Sequence, residues 1–313
     1  RPPHRFLTPG LPIMATSPEL DRVIGIMKAI RSKPPADIHE ARAVLDQAFG
    51  EYRPAPDVTV FEIEADGVPC QWITAPDARQ NKLIIYFHGG AYAACSPTTH
   101  QDLISRLSRA SGAAALGVDY RLAPEHVFPA AVEDSITAYE WVLGHGFEPA
   151  DIVLAGDSAG AGLVLAVMLT AKDSGVPLPA AGVCFSPWVD LECTGESMSA
   201  NDHLDDFIKY DGLLARANSY LGDADPRHPW ASALFGDLSG LPPTLIHVGS
   251  AETLLDDSLR LEALAKDAGV SVTIKVWDDM VHVWQAFAAI LPEAQQSIDE
   301  AGEFIRNHIG GSG

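Results

Sequence analysis

The chain has 313 residues and a formal net charge of −21, from 21 basic and 42 acidic side chains. With 47% hydrophobic and 20% charged residues, its composition is that of a globular protein with a sizeable core. An acidic surface repels phosphate groups, so the charge argues against nucleic acid and anionic membranes as partners.

The cysteines and the chain ends give further expectations. The sequence contains four cysteines: Cys70, Cys95, Cys184 and Cys193. They show no C-x-x-C spacing, which favours reduced thiols in a cytoplasmic protein and gives no sign of a zinc site. The sequence has no apolar run of the roughly 18 residues that a membrane span needs, and no signal-peptide core. Met14 resembles a natural start, so we interpret residues 1–13 and the closing Gly-Gly-Ser-Gly as cloning tails.

Two helices are predicted before any strand. Ser17 followed by Pro18 is typical of a helix N-terminus, and apolar residues then recur at helical spacing. Asp37 with Glu40 forms a capping-box pattern, and Gly50 marks the end of the second helix.

From residue 58 onward, strand patterns begin. The segment VTVFEIEADGVPCQWITAP alternates in polarity and turns at Asp66-Gly67, which predicts an antiparallel hairpin. Further strands are predicted at LIIYF, AAALGVDY, DIVLAG, AGVCFS, PTLIHVG and VTIKVW. Helices are predicted at 98–111, 129–144, 159–173, 256–268 and 294–308. This alternation favours an α/β fold with a mostly parallel central sheet flanked by helices on both faces.

Residues 192–235 interrupt the alternation. They separate two predicted strands by far more than the usual connection of a few residues. The segment YDGLLARANSYL within them has a helical pattern. Together with the N-terminal helices, this stretch is expected to form a helical lid.

A G-x-S-x-G motif lies between a predicted strand and a predicted helix. It reads Gly156-Asp157-Ser158-Ala159-Gly160. The motif describes a sharp strand-to-helix turn that presents a serine nucleophile above the sheet, and a Cβ at either glycine would clash across the bend. A structural turn built from small residues is the alternative, but it does not explain why strand and helix flank the serine in register.

The serine needs a base, because its hydroxyl is a weak nucleophile. Among eleven histidines, His282 follows the last strand in the loop WDDMVHVWQAF, where it can reach the serine. His247 within a strand, His308 on the last helix and His145 in a glycine loop have structural interpretations. We therefore predict His282 as the base.

The histidine in turn needs a carboxylate that orients it. In the chain order Ser, acid, His, the segment LIHVGSAETLLDDS supplies Glu252, Asp256 and Asp257. Glu252 comes directly after the strand, whereas the two aspartates open the next helix, where an N-cap role explains them. Glu252 is the predicted acid, with the aspartates as alternatives.

The oxyanion of the reaction requires N–H donors. The loop HGGAYAACS follows the strand LIIYF, at the place where α/β-hydrolases carry a second set of donors. We predict these donors at Gly89, Gly90 and Ala91, together with Ala159 after the serine. A plain glycine turn is the alternative.

In six segments the chain resembles the hormone-sensitive-lipase-like esterases of the α/β-hydrolase superfamily: HGGAYAACS, VDYRLAPEHVFPAAVED, GDSAGAG, FSPWVDL, SAETLLDD and DDMVHVWQAF. The resemblance implies that Ser158 is the nucleophile, that His282 is the base and that His88 is structural. Two positions depart from the family pattern. Glu252-Thr-Leu stands where most members have Asp-Pro-Leu, and Ala91 stands in place of the third glycine of H-G-G-G.

The resemblance also implies a cap of residues 14–50 and 196–225 over a catalytic domain of residues 51–195 and 226–313. We name residues 196–225 the insertion. Side chains of the motifs and the cap are expected to line the substrate pocket: Met27, Tyr92, Asp157, Trp188, Phe207 and Leu213.

The sequence thus predicts a carboxylesterase for short- to medium-chain acyl esters, a small-molecule enzyme that needs no metal or organic cofactor. A homodimer is the candidate oligomeric state. A lactone hydrolase or acyltransferase with the same triad is an alternative, as is a non-catalytic binding module on the same fold. At Ala91, replacement by glycine is expected to admit bulkier esters and to lower stability slightly, unless the backbone φ there is positive, which reverses the sign of the stability change.

Overall fold

Strands that are buried on both faces organise the molecule into layers. The computed structural model describes residues 17–32 and 35–310, so the predictions for residues 1–13 and 311–313 lie outside it. Within the described residues, eight strands form one sheet in the order β1-β2-β4-β3-β5-β6-β7-β8. Their bounds are β1 Thr59–Ala65, β2 Val68–Thr74, β3 Arg79–Phe87, β4 Ala113–Val118, β5 Ile152–Asp157, β6 Ala181–Phe185, β7 Thr244–Gly249 and β8 Val272–Trp277.

The predicted hairpin forms the antiparallel end of this sheet. β1 pairs with β2 from Thr59 opposite Thr74 to Ala65 opposite Val68, and β2 pairs antiparallel with β4. The other neighbouring strands are parallel. The mostly parallel central sheet expected from the sequence is therefore confirmed.

Helices connect the strands and cover both faces of the sheet. Their bounds are α1 Pro18–Ser32, α2 Ile38–Gly50, α3 Gln101–Ser111, α4 Ala130–Gly144, α5 Ala159–Ser174, α6 Ser197–Ala200, α7 Tyr210–Leu221, α8 Leu255–Asp267 and α9 Pro292–His308. Among the helices in the described ranges, none is both long enough and apolar enough to cross a bilayer.

Alternating side chains of β3 show why the sheet needs helices on two sides. Leu83 and Ile85 belong to the apolar cluster that contains α4 and α5, whereas Ile84 and Tyr86 belong to the cluster that contains α3 and α9. All four side chains are fully buried. A parallel strand covered on both faces therefore has a continuous apolar run in its sequence.

The N-terminal helices pack near the carboxyl edge of the sheet. Leu20, Val23 and Met27 on α1 form a third apolar cluster with Trp284 and Phe287, which follow β8. At the start of α2, Asp37 Oδ1 accepts a hydrogen bond from the Glu40 amide at 2.9 Å, as the capping-box pattern predicts. The reciprocal bond differs, because Glu40 Oε2 accepts from the Ala36 amide.

Candidate active site

Ser158 occupies a strained bend between β5 and α5. Its backbone φ of 51° and ψ of −119° are unfavourable for a residue with a side chain, and such strain is concentrated at functional sites. A Cβ on Gly160 would lie 2.0 Å from the Phe87 carbonyl oxygen, and one on Gly156 would lie 2.5 Å from the Gly160 carbonyl. Both glycines are thus required by close backbone approach.

The three residues predicted as a triad lie in one line of contacts. His282 Nε2 is 3.0 Å from Ser158 Oγ, and His282 Nδ1 is 2.9 Å from Glu252 Oε2. Ser158 follows β5, Glu252 follows β7, and His282 follows β8. Ser158 is 7% exposed, His282 3% and Glu252 0%, so the contacts lie in a water-poor environment where charge interactions are strong.

Neighbouring groups fix both the geometry and the charge of this line. Glu252 Oε1 accepts hydrogen bonds from Ser186 Oγ at 2.7 Å and from the Gly249 amide at 2.6 Å. Burial raises the pKa of Glu252, against the opposing effect of its hydrogen bonds. Burial disfavours the imidazolium of His282, but the hydrogen bond and charge of Glu252 outweigh it, so the pKa of His282 is raised. Glu252 thus favours the imidazolium form of His282 relative to a buried histidine without a carboxylate partner.

The backbone amides predicted as oxyanion donors differ in their hydrogen bonding. The amides of Gly90, Ala91 and Ala159 have no acceptor among the described residues. The amide of Gly89 differs, because it donates to Asp157 Oδ1 at 3.1 Å. The prediction that Gly89 donates to the oxyanion is therefore wrong. The reason is that its N–H points away from the site, toward the carboxylate below the loop.

The prediction that Asp157 lines the substrate pocket is also wrong. Its carboxylate accepts from Tyr86 Oη at 2.8 Å and lies 3.3 Å from His100 Nε2, in addition to the Gly89 contact. Burial by itself would raise the pKa of Asp157, but His100 and the Tyr86 hydroxyl outweigh it, and the pKa is lowered. Asp157 supports the oxyanion loop from beneath. His88 stacks on Tyr120 with ring centroids 4.2 Å apart.

The remaining predicted pocket residues fall into two groups. The ring of Phe207 stacks on His282 with centroids 6.4 Å apart, and Met27 belongs to the apolar cluster beside the same loop. Tyr92, Trp188 and Leu213 are buried in the main core cluster. Trp188 also contacts the triad through its backbone, because its amide donates to the Ser158 carbonyl oxygen at 3.1 Å. Phe207 contacts it with its side chain.

The N-cap interpretation of the two aspartates in α8 is wrong. Helix α8 begins at Leu255, and its cap residue is Leu254. Asp256 Oδ2 accepts from the Ser197 amide at 2.8 Å. Asp257 Oδ2 accepts from the amides of Val189 and Asp190 at 2.9 and 3.0 Å. Both carboxylates thus accept hydrogen bonds from distant segments rather than from the first turn of their own helix.

Sequence reasoning missed three residues around the site. Ser186 directly follows β6, and residues at the carboxyl ends of parallel strands are typical site residues. Its sequence position therefore indicates a place in the site. Arg42 on α2 and Asp205 in the insertion contact the site from far along the chain, and no local pattern marks them. Within the described residues, no group of three or more His, Cys, Asp and Glu side chains is arranged to hold a metal ion.

Comparisons with known proteins agree with this fold. Residues 84–286 match the family model of the alpha/beta hydrolase fold. The chain is 42% identical over 299 residues to an acetyl-hydrolase of Streptomyces hygroscopicus, covering 94% of this chain and 98% of the relative. A crystal structure of an esterase from the bacterial hormone-sensitive lipase family has a TM-score of 0.93 and 48% identity, covering 95% of this chain and 100% of that one.

Another similar structure is that of EstE5 soaked with p-nitrophenyl butyrate. It has a TM-score of 0.88 and 44% identity, covering 94% of this chain and 99% of that one. The chain belongs to the hormone-sensitive-lipase-like esterases of the α/β-hydrolase superfamily. It is an esterase, that is, a hydrolase of carboxylic esters.

Proposed function

We propose that the enzyme hydrolyses short- to medium-chain acyl esters through a Ser158-His282-Glu252 triad and an acyl-enzyme. The observation that carries this proposal is the unbroken line of contacts from Glu252 Oε2 through His282 to Ser158 Oγ, at 2.9 and 3.0 Å. A nucleophile, a base and an orienting acid in this order are what serine acyl transfer requires.

Each group has one role in the proposed reaction. Ser158 Oγ attacks the ester carbonyl while His282 Nε2 accepts its proton, and the charge of Glu252 stabilises the resulting imidazolium. The amides of Gly90, Ala91 and Ala159 donate to the developing oxyanion. His282 then protonates the leaving alcohol, and water activated by His282 releases the acid from Ser158.

The preference for short acyl chains rests on the proposed cap. In the proposed cap, helices α1 and α2 and the insertion cover the carboxyl edge of the sheet. Two observations support it: Met27 and Phe207 belong to the apolar cluster of the loop after β8, and Phe207 stacks on His282. A pocket closed by helices has finite depth, so acyl chains of roughly two to eight carbons should fit best. The named acetyl-hydrolase and the EstE5 structure soaked with p-nitrophenyl butyrate support short acyl groups.

Ser158→Ala is expected to remove nearly all esterase activity with the fold intact, as measured with aryl esters of increasing chain length and by circular dichroism.

Glu252→Gln should lower kcat about a thousand-fold, because a neutral amide neither orients nor stabilises the imidazolium. Asp256→Asn, four residues further along in the first turn of α8, is the matched control and should keep most activity. An inactive Asp256→Asn together with an active Glu252→Gln would reject this triad.

Lactones and added alcohols in the same assay test the alternatives of lactone hydrolysis and acyl transfer.

We also propose a cytoplasmic location and, as the sequence suggests, a homodimer. The four cysteines are free and buried, which supports a reducing compartment. Light scattering after size-exclusion chromatography measures the oligomeric state directly.

A further inference from the structure

The insertion contains a buried carboxylate that contacts the loop of the catalytic acid. Asp205 is 1% exposed. Its Oδ2 accepts from the Thr253 amide at 2.9 Å and from Thr253 Oγ1 at 3.1 Å. Its Oδ1 accepts from the amides of Phe207 and Ile208 at 2.9 and 2.8 Å. Four donors thus satisfy this carboxylate, and no salt bridge to it is found among the described residues.

Both oxygens of Asp205 hold residues that touch the triad. Thr253 directly follows Glu252, so fixing its backbone fixes the part of the loop next to the acid. Phe207 stacks on the His282 ring at an interplanar angle of 25°. Further contacts join the same two segments, because Asn201 Nδ2 donates to the carbonyl oxygens of Ser250 and Glu252.

The partner of Asp205 is one of the positions where the chain departs from the family pattern. A proline after the catalytic acid has neither an N–H nor a hydroxyl group. Thr253 supplies both, and both are bonded to Asp205 Oδ2. The threonine that replaces proline at this position is therefore hydrogen-bonded to a residue of the insertion.

We propose that Asp205 is a positioning residue for the esterase reaction: it fixes the acid loop through Thr253, fixes the aromatic ring over His282 through Phe207, and stabilises the imidazolium with its charge. This inference rests on the proposed triad. In this proposal, the insertion contributes directly to the positioning of Glu252 and His282.

The charges around His282 agree with this role. Three carboxylates act on it: Glu252 from the loop after β7, Asp205 from the insertion and Asp157 from the end of β5. Each of them raises the pKa of His282 against the effect of burial. Removing the charge of Asp205 should therefore lower the pKa of His282.

The test is Asp205→Asn, with Asp206→Asn as the matched control. Asp206 is the neighbouring residue, its side chain is 31% exposed, and it forms an ion pair with Lys28 at 3.4 Å. Asp205→Asn should lower kcat about 10-fold with little change in KM, because hydrogen bonds to a charged group are worth that much. The acidic limb of its pH–rate profile should move to lower pH. Asp206→Asn should match the wild type in both measurements.

A second variant keeps the test decisive if Asp205→Asn does not fold. Thr253→Val removes one hydrogen bond to Asp205 and keeps the charge, so kcat should fall while the acidic limb stays in place. An unchanged kcat in Thr253→Val, or an Asp205→Asn enzyme that matches Asp206→Asn in kcat and pH profile, overturns the inference. Residual activity in Ser158→Ala would instead overturn the proposed triad, so the two failures are distinguishable.

Discussion

Ala91 has a left-handed backbone in the oxyanion loop. Its φ is 53°, a conformation that costs an L-residue roughly 1–2 kcal/mol. The positive φ selects the second of the two expectations for a glycine here, a gain in stability rather than a slight loss. The methyl group adds bulk beside the amide that we propose as an oxyanion donor.

Ala91→Gly is accordingly expected to raise the free energy of unfolding by about 0.5–1 kcal/mol, since glycine relieves the strain at a small entropic cost. It should also raise kcat/KM for esters of tertiary alcohols relative to primary ones. Chemical denaturation and the ratio of the two rate constants measure these effects. A lower unfolding free energy would show that the loop tolerates the methyl group without strain.

Asp257 is a buried acid that the reaction does not use. Burial raises its pKa to about 7. Among the described residues, its Oδ1 has no hydrogen-bond partner, whereas Oδ2 has two. Between about pH 4 and pH 7, the folded protein therefore keeps a proton on Asp257. The unfolded chain, in which this carboxyl has a pKa near 4, has lost that proton.

This shift predicts a pH dependence of stability. The contribution of Asp257 is fully present below about pH 4 and is lost as pH rises to about 7, at up to ~1.4 kcal/mol per pH unit. The wild type should thus lose stability relative to Asp257→Asn across this window, in denaturant titrations at several pH values. Asp256→Asn is the control and should run parallel to the wild type. Parallel curves for wild type and Asp257→Asn would contradict the prediction.

At the scale of elements, Arg42 joins α2 to the oxyanion loop. Its Nε donates to the Ala93 carbonyl oxygen at 2.8 Å, and Nη2 donates to that of Ala123 at 3.0 Å. The same guanidinium forms two hydrogen bonds with Glu125, at 2.8 and 2.6 Å. The pKa of Glu125 is lowered to about 2 by this bond. One side chain thus connects a proposed cap helix to the loop that carries the proposed oxyanion donors.

Arg42→Lys should weaken this connection, because a lysine cannot reproduce the planar fork of donors. We expect a lower melting temperature and a kcat reduced about 3- to 10-fold, since one or two net hydrogen bonds are lost. Arg109→Lys serves as the control, because Arg109 forms an exposed ion pair with Asp57 at 2.6 Å, and exposed pairs contribute little. If the two substitutions had equal effects on kcat and on the melting temperature, the contacts of Arg42 with the loop would not contribute to activity.

Elements of the fold were predictable where the signal is local. Continuous apolar runs gave the inner strands, and the turn at Asp66-Gly67 gave the hairpin, because strand burial and turn chemistry act over a few residues. The order of Ser158, Glu252 and His282 was predictable because each follows a strand. The contact between Asp205 and Thr253 spans 48 residues, and that between Arg42 and Glu125 spans 83. Such pairs are set by how elements pack, which no local pattern encodes.

At the scale of the whole molecule, the net charge of −21 opposes the compact state through self-repulsion. Salt screens this repulsion over a Debye length of about 10 Å at 0.1 M. The melting temperature should therefore rise when NaCl is increased from about 10 mM to a few hundred millimolar. KCl is the control for specific ion binding and should act equally. A falling melting temperature would mean that attractive ion pairs dominate the long-range field.

The contact of Asp205 with Thr253 also has a consequence for recombination between related genes. A crossover anywhere between codons 205 and 253 joins the insertion of one parent to the acid loop of the other. When the second parent encodes proline at position 253, the hybrid buries a carboxylate against a residue that donates nothing to it. Functional hybrids should therefore be depleted of crossovers in this interval, so that residues 205–253 are inherited as one block.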